Sequence, residues 1–283
     1  MLANMKEFEE YRYMKIKATS LAILLAVLSV LAGTVSANSE QSKVDVWQAF
    51  LKPKYFENVE FIEDGNVIEL KTPYRAEDAS VTPVSIKATF PQSDERSIDK
   101  IYMFVDENPQ PLVGVFHLTK EMGRADLAMR VRVDKYTNVR AIAVLNNGEH
   151  HMVTNFVKAQ GGCSAPLAAD YARAMERLGD MKFKTVGDLN EDRTMVGQFL
   201  LSHPNVTGMQ KDQKTQLIRP AHYVEKIKIF YNGTHIMTAE TGFSVSADPS
   251  FRFFFKPEEG GELTAEVVDS KGNEWTQKFS VET

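Results

Sequence analysis

Cysteine is nearly absent from this sequence: its 283 residues contain one, Cys163. A single cysteine excludes zinc and iron–sulfur sites built from several thiolates. Proteins in oxidising compartments usually pair their cysteines. If the chain is exported, an unpaired cysteine therefore indicates either an intermolecular bond or a thiol kept for chemistry.

Positive charge is not in excess either. The sequence has 33 Lys and Arg residues against 38 Asp and Glu residues, a formal net charge of −5, and no basic patch stands out along it. Binding to nucleic acid normally needs such a patch. Nucleic acid is therefore not an expected partner.

Sequence motifs of common enzyme chemistry are missing too. The chain has no GxSxG elbow, no P-loop and no GxGxxG turn. A nucleophilic Cys–His pair that folding brings together remains an alternative. Neither a metal nor another cofactor is predicted, and four histidines stand alone and are interpreted as packing or surface residues: His117, His203, His222 and His235.

The N-terminal region has one apolar run, residues 21–31, which is too short to span a bilayer comfortably. Lys15 and Lys17 precede this run, and small residues ending at Ala37 follow it. This order is typical of a signal peptide cleaved near Ala37. Residues 1–13 are acidic, so Met14 is interpreted as the true start. The sequence predicts that residues 1–37 are a signal peptide and that the mature protein lies outside the cytoplasm without a stable membrane anchor. A permanent membrane anchor is the less favoured alternative, because the apolar run is short.

Most of the remaining sequence alternates apolar and polar residues with period two. In VTPVSIKATF, Val84, Ile86 and Ala88 share one face. Asn147-Gly148 separates two such runs, a strong hairpin signal. The second half contains similar runs, with turns at residues 232–233 and 270–273. The pattern predicts an all-β protein with two antiparallel β-sandwich domains.

A helix is predicted between the two β regions. APLAADYARAMERLGDMKF is rich in good helix formers, and it begins near Pro166 and reaches Gly179 at its expected C-terminal end. The predicted organisation is a first domain at residues 38–165, a helical linker at 166–190 and a second domain at 191–283.

The segment KAQGGCSAP, residues 158–166, places the cysteine directly after Gly161 and Gly162. Glycine has no Cβ and bends freely, so two in a row form a thin, flexible stem. A thiol on such a stem can enter a narrow cleft of another protein, and its thiolate suits sulfur–sulfur exchange. Two alternatives stand beside this carrier hypothesis: a tight turn that happens to contain cysteine, and a buried inert cysteine.

Two parts of the sequence resemble the two subunits of the SoxYZ sulfur carriers. VWQAFLK, PYRAEDASVTPVSIKA and KAQGGC occur in this order within residues 44–163 and resemble SoxY. SHPNVTGMQ and VEKIKIFYNGTHIMTAETGFSVSADPSFRFFFK, within residues 196–281, resemble SoxZ. A single chain that joins both resembles the SoxYZ-like carriers associated with quinoprotein dehydrogenases.

The resemblance implies two immunoglobulin-like β-sandwich domains and a non-enzymatic function in periplasmic sulfur or thiosulfate oxidation. It implies Cys163 as the covalent attachment point for sulfur intermediates, with Gly161 and Gly162 as its flexible stem. The implied partners are periplasmic sulfur-oxidising enzymes, c-type cytochromes or a quinoprotein dehydrogenase. SoxY chains usually end in GGCGG, whereas here residues 164–166 read SAP and the chain continues. The cysteine segment is therefore tethered at both ends.

Three functions follow from these observations. The first is a covalent carrier that uses Cys163. The second is a non-covalent accessory module for a periplasmic quinoprotein dehydrogenase, in which Cys163 is incidental. The third is a thiol enzyme, which needs a nearby base and a lowered thiol pKa. Cys163 could also link two copies of the chain through a disulfide.

Overall fold

The computed structural model describes residues 44–166 and 171–281. The predicted signal peptide, its cleavage site near Ala37 and the start at Met14 lie outside the described residues. In the described part of the chain, no helix is long and apolar enough to cross a membrane.

Within the described residues the chain forms fourteen strands and little helix. A π-helical turn at Trp47–Leu51 continues into α1 at Lys52–Tyr55, a 3₁₀ turn covers Lys120–Met122, and α2 covers Tyr171–Glu176. The strands are β1 Ile68–Lys71, β2 Thr82–Ala88, β3 Ile98–Val105, β4 Leu112–Leu118, β5 Leu127–Val131, β6 Thr137–Leu145, β7 His150–Val157, β8 Met181–Val186, β9 Met195–Leu201, β10 Val224–Tyr231, β11 Thr234–Thr241, β12 Ser250–Phe255, β13 Gly261–Asp269 and β14 Glu274–Val281.

The strands form two antiparallel sheets. The six-stranded sheet has the order β1-β2-β5-β12-β9-β8, and the eight-stranded sheet has the order β14-β13-β10-β11-β4-β3-β6-β7. Strands β1–β7 form the first half of the molecule and β8–β14 the second. Each half gives three strands to one sheet and four to the other, the strand count of a constant-type immunoglobulin sandwich. The predicted all-β fold class is confirmed.

Alternating burial explains why these segments are strands. Along β2, Val84, Ile86 and Ala88 are buried while Pro83 and Lys87 are exposed. Alternate side chains of a strand point to opposite faces, so the apolar set covers the core and the polar set faces solvent. The hairpins predicted around Asn147-Gly148, residues 232–233 and residues 270–273 are confirmed by the β6–β7, β10–β11 and β13–β14 pairings.

The two halves are joined along both sheets. In the six-stranded sheet, Leu127 and Ala128 of β5 pair with Phe253 and Arg252 of β12. In the eight-stranded sheet, β4 pairs with β11 over five residue positions. A single hydrophobic cluster contains buried residues of both halves. The halves are therefore two sandwich modules that share one continuous core.

The predicted linker differs from the structure in length and content. Residues 167–170 of the predicted helical span 166–179 lie outside the described part; after them α2 covers Tyr171–Glu176, and residues 177–179 form a turn in place of the predicted helix end. Strand β8 lies within the span predicted as linker and pairs with β9. Its period-two pattern, with Met181 buried and Lys182 and Lys184 exposed, places it in the sheet.

Candidate carrier site

Cys163 lies in a closed turn that follows β7. Three backbone N–H groups of this turn donate hydrogen bonds to the segment after β5: Gly161 to the carbonyl of Asp134 at 2.8 Å, Gly162 to the carbonyl of Val133 at 3.1 Å, and Cys163 to Oδ1 of Asp134 at 3.1 Å. Asp134 thus holds the turn through both its main chain and its side chain. The Cys163 side chain is buried, with a relative exposure of 0%.

The two glycines have different local roles in this conformation. Gly161 has a φ of 78°, in the region that residues with a Cβ rarely adopt. A Cβ on Gly162 would lie 2.2 Å from the carbonyl oxygen of Ala79 and 2.6 Å from that of Val133. Gly162 therefore allows its backbone to approach the Ala79 and Val133 backbones closely. The sequence predicted a flexible stem here and did not predict this close packing.

The second half of the molecule closes the turn from the other side. The Thr207 hydroxyl donates a hydrogen bond to the carbonyl of Cys163 at 2.7 Å, and Nε2 of Gln210 donates to the carbonyl of Ala165 at 2.9 Å. Oε1 of Gln210 accepts the backbone N–H of Thr207 at 3.1 Å, so the Gln210 side chain also holds the Thr207 backbone in place. Both residues are buried. The cysteine turn is therefore clamped between the two halves.

Arg132 connects the same two halves beneath the turn. Its Nη1 donates to the carbonyl of Gly162 and its Nη2 donates to the carbonyl of Asn205, each at 3.2 Å. The Arg132 side chain is buried, and burial lowers the pKa of its guanidinium from the usual value. One guanidinium thus ties the glycine segment to the stretch that contains Thr207.

The surroundings of Cys163 disfavour the thiolate. Burial and the nearby carboxylate of Asp134 raise the pKa of Cys163 to about 12, while Arg132 acts in the opposite direction. Gly162 and Cys163 are thus buried and the turn is hydrogen-bonded in this structure, because Gly162 packs against the Ala79 and Val133 backbone. A raised thiol pKa is also the reverse of what a thiol enzyme needs. The role of Gly161 and Gly162 as a flexible stem stays a prediction.

The alkylation rate of Cys163 with iodoacetamide is expected to rise about tenfold per pH unit from pH 7 to pH 10. The thiolate fraction grows by this factor below a pKa of about 12. A free exposed thiol levels off near its ordinary pKa of about 8.5. Mass spectrometry of the folded protein after timed labelling gives the profile, and a plateau between pH 8 and pH 9 would contradict the closed turn.

Replacing Thr207 with valine is expected to speed Cys163 alkylation at pH 8 by about fivefold. Valine keeps the shape of threonine but removes the hydrogen bond to the Cys163 carbonyl, worth about 1 kcal/mol. Thr207→Ser is the matched control, because it retains the hydroxyl. Equal labelling rates in the two variants would show that the Thr207 hydroxyl does not close the turn.

A second buried cluster lies in the second half. Oδ2 of Asp269 lies 2.6 Å from Nε2 of His222 and 3.5 Å from Nε2 of His203, and all three side chains are at most 2% exposed. The Asn205 N–H donates to Nδ1 of His203 at 3.0 Å, so Nε2 of His203 carries the proton and donates towards Asp269. This assignment favours a hydrogen-bonded group over a metal site.

The histidine cluster corrects one part of the sequence interpretation. His203 and His222 were expected to stand alone, but they lie together with ring centroids 4.7 Å apart. They are 19 residues apart in the sequence, and Asp269 comes from the end of β13, so no local spacing could reveal the cluster. The stretch SHPNVTGMQ contains His203, Thr207 and Gln210 and links this cluster to the cysteine turn. Sequence patterns assigned no such role to these three residues.

The architecture is that of a two-module β-sandwich protein that holds one thiol between its halves. The family model described as "Sulfur oxidation protein SoxY" matches residues 52–163, and the one described as "Sulphur oxidation protein SoxZ" matches residues 184–280. The chain belongs to the SoxYZ sulfur carriers, with the SoxY and SoxZ modules fused in one chain. The predicted family is confirmed.

Solved structures align with part of the chain. The sulfur carrier protein SoxY from Chlorobium limicola f thiosulfatophilum aligns with 23% identity and a TM-score of 0.31, over 38% of this chain and 88% of that chain. Superoxide reductase (neelaredoxin) from Ignicoccus hospitalis aligns with 15% identity and a TM-score of 0.29, over 32% of this chain and 79% of that chain. A comparison with curated protein sequences gives no significant match.

Proposed function

We propose that this protein is a periplasmic, non-enzymatic carrier that holds sulfur intermediates covalently on Cys163. SoxYZ proteins are sulfur-oxidation carriers that interact with sulfur-oxidation enzymes. The observation that carries the finer proposal is the place of the thiol. Cys163 is the last residue of the SoxY match, and Thr207 and Gln210 of the SoxZ match hold the segment around it.

Loading the thiol requires the turn to open first. Four side-chain hydrogen bonds close it: from Cys163 N–H to Asp134, from Thr207 to Cys163, from Gln210 to Ala165, and from Arg132 to Gly162. At about 1 kcal/mol net for each bond, the open form would be populated at roughly one part in a thousand. A partner that binds only the open form would shift this balance towards it. The closed turn would meanwhile keep the thiol away from other oxidants.

The proposed loading step joins the Cys163 sulfur to the sulfane sulfur of thiosulfate. The new S–S bond replaces the S–H bond, the proton goes to solvent and two electrons go to an acceptor. The proposed acceptors are c-type cytochromes, and the proposed enzymes are periplasmic sulfur-oxidising enzymes or a quinoprotein dehydrogenase system. No resident cofactor is proposed for the carrier itself.

The loading test uses the purified mature protein, thiosulfate and the oxidising partner, followed by intact mass spectrometry. The expected result is a mass increase that a reducing agent removes and that is lost in Cys163→Ser. Asp134→Asn is a second variant, which changes a residue of the cysteine turn but keeps the thiol. No adduct on the wild-type protein, or the same adduct on Cys163→Ser, would overturn the proposal.

The second candidate is a non-covalent accessory module for a quinoprotein dehydrogenase. Burial of Cys163 and its pKa of about 12 favour this candidate, because a closed thiol reacts slowly. The two functions differ in one phenotype. Cys163→Ser should abolish carrier function, whereas an accessory module would retain partner activity in this variant and lose it only when the whole protein is deleted.

A disulfide-linked dimer through Cys163 requires the same opening of the turn, because the thiol is buried in the closed form. A non-reducing gel of freshly purified protein tests this proposal. A dimer band that a reducing agent removes, and that Cys163→Ser lacks, is the expected sign.

A further inference from the structure

The outer face of the six-stranded sheet carries an unusual charge distribution. Its outward positions hold several basic side chains and one acidic side chain, Glu69. This balance runs against the whole sequence, in which acidic residues outnumber basic ones by 38 to 33. The basic residues on this face are Lys71, Lys87, Arg130, Lys182, Lys184 and Arg252.

On the eight-stranded sheet, lysines form ion pairs with acidic residues of neighbouring strands. There Lys226 pairs with Glu240 at 3.2 Å, and Lys278 pairs with Glu262 at 2.7 Å. Cross-strand pairing with acidic residues is the ordinary way to neutralise charges on a sheet face. Across the described part of the chain, no ion pair involves Lys71 or Arg252 of the six-stranded sheet. These two charges are therefore available to an acidic partner.

An open groove of about 590 Å³ lies on this face. Lys71, Arg130 and Arg252 line it, and small side chains that include Ser85 and Ala128 form its floor. The groove crosses the join between the two halves, because Ala128 of β5 pairs with Arg252 of β12. Both halves are therefore needed to form it.

The strand register gives the width of the groove. Lys71 pairs with Ser85, Ser85 with Ala128 and Ala128 with Arg252, so three strand spacings separate Lys71 from Arg252. At about 4.8 Å for each spacing, the distance is roughly 14 Å. A small oxyanion would contact both side chains only if each of them bent inward over the floor. A helix with its side chains, about 10–12 Å across, has the right size.

The groove lies beside the cysteine turn along β5. Arg130 faces the groove, and Arg132, two residues further, donates to the carbonyl of Gly162. Alternate residues of a strand are roughly 7 Å apart. The backbone carbonyl of Arg130 accepts the N–H of Ser246 at 3.1 Å, which fixes this part of the groove to the second half.

We propose that this groove docks an acidic segment of a partner protein on the outer face of the six-stranded sheet. The occupant is a carboxylate-rich helix or loop, whose charges pair with the two basic rims while its body rests on the small residues of the floor. Docking there positions the partner next to the cysteine turn. The proposal does not depend on any reaction of Cys163.

Fluorescence anisotropy of a fluorescein-labelled oligoglutamate peptide tests the groove at low ionic strength. The wild-type protein should bind the peptide, and Lys71→Gln/Arg252→Gln should weaken binding by about tenfold. The matched control is Lys226→Gln/Lys278→Gln, which removes the same charge from the other sheet and should change binding by less than about twofold. No binding to the wild-type protein, or equal weakening in both double variants, would overturn the proposal.

Two further measurements separate the groove from simple charge attraction. Ser85→Tyr leaves the charge unchanged and fills the floor, so it should weaken peptide binding by a similar factor; unchanged binding would contradict a groove. Sulfate should displace the peptide no better than chloride at equal ionic strength. Preferential displacement by sulfate would identify a small-anion site and overturn the proposal. Circular dichroism of each variant confirms that the fold is intact.

Discussion

Replacing Gly162 with alanine is expected to lower the free energy of unfolding by about 2 kcal/mol or more. The added Cβ would lie 2.2 Å from the carbonyl oxygen of Ala79 and 2.6 Å from that of Val133. Both are backbone atoms, and the N–H of Val133 itself donates to the Ala79 carbonyl. Neither can move without disturbing this pairing. Urea unfolding followed by circular dichroism measures the loss.

Gly148→Ala is the matched control for this substitution. Gly148 has a φ of 87° and open space where a Cβ would stand, so alanine there adds backbone strain of about 1 kcal/mol without a clash. The Gly162→Ala molecules that remain folded should also be alkylated faster at Cys163 than the wild-type protein, because the turn cannot close. Equal stability and equal Cys163 labelling in the two variants would contradict the close packing of Gly162.

Acid is expected to destabilise the protein through the buried His203 side chain. Burial and the neighbouring His222 lower the pKa of His203 to about 4, below its ordinary value of 6.5. Between these values the unfolded chain binds a proton that the folded protein does not. Stability therefore falls as the pH drops from about 6.5 towards 4, by roughly 3 kcal/mol at the low end. Urea unfolding at pH 7 and pH 4.5 measures the difference.

His203→Gln is the variant that isolates this effect. Glutamine does not titrate in this range, and its amide can still donate towards Asp269. The variant should be less stable than the wild type at pH 7 but lose less stability between pH 7 and pH 4.5. Asp269 has a pKa lowered to about 2, so its own contribution is present above about 4 and is lost below that. An identical pH dependence in wild type and His203→Gln would contradict the assignment.

The fold was largely predictable because its signals are local. Alternation along VTPVSIKATF and the Asn147-Gly148 turn each depend on a few neighbouring residues, and the structure confirms both. The sharing of sheets was not predictable from such signals. It depends on pairs such as Ala128 with Arg252, which lie far apart in the sequence. Strand β8 was missed because its short alternating run follows directly after a stretch of good helix formers.

The sequence singles out Cys163 as the candidate carrier residue but does not predict the surroundings of that residue. A lone cysteine after two glycines drew attention to Cys163, and the SoxY match ends at that residue. Its burial depends on contacts that sequence patterns do not encode. Thr207 is 44 residues away from Cys163, and Gly162 packs against a carbonyl of Ala79 from before β2. The same glycines that suggest a flexible stem can equally allow close packing.

In the fused chain, the cysteine turn can reach only a limited distance when it opens. Residues 161–166 are held by the first half through Asp134 and by the second half through Thr207 and Gln210. Because the chain continues past Pro166, opening the turn forms a loop anchored at both ends and not a free arm. Such a loop reaches less far, so a partner would have to approach closely. The proposed groove beside Arg130 would hold a partner at that distance.

The most direct test of the central claim is the intact mass of the protein isolated from its native cells during growth on a reduced sulfur compound. We expect a mature chain beginning near Asn38 that carries one or more added sulfur atoms, with or without a terminal sulfonate group. A reducing agent should remove the addition, and the Cys163→Ser protein isolated in the same way should lack it. An unmodified wild-type protein under these conditions, or an addition retained in Cys163→Ser, would contradict Cys163 as the carrier residue.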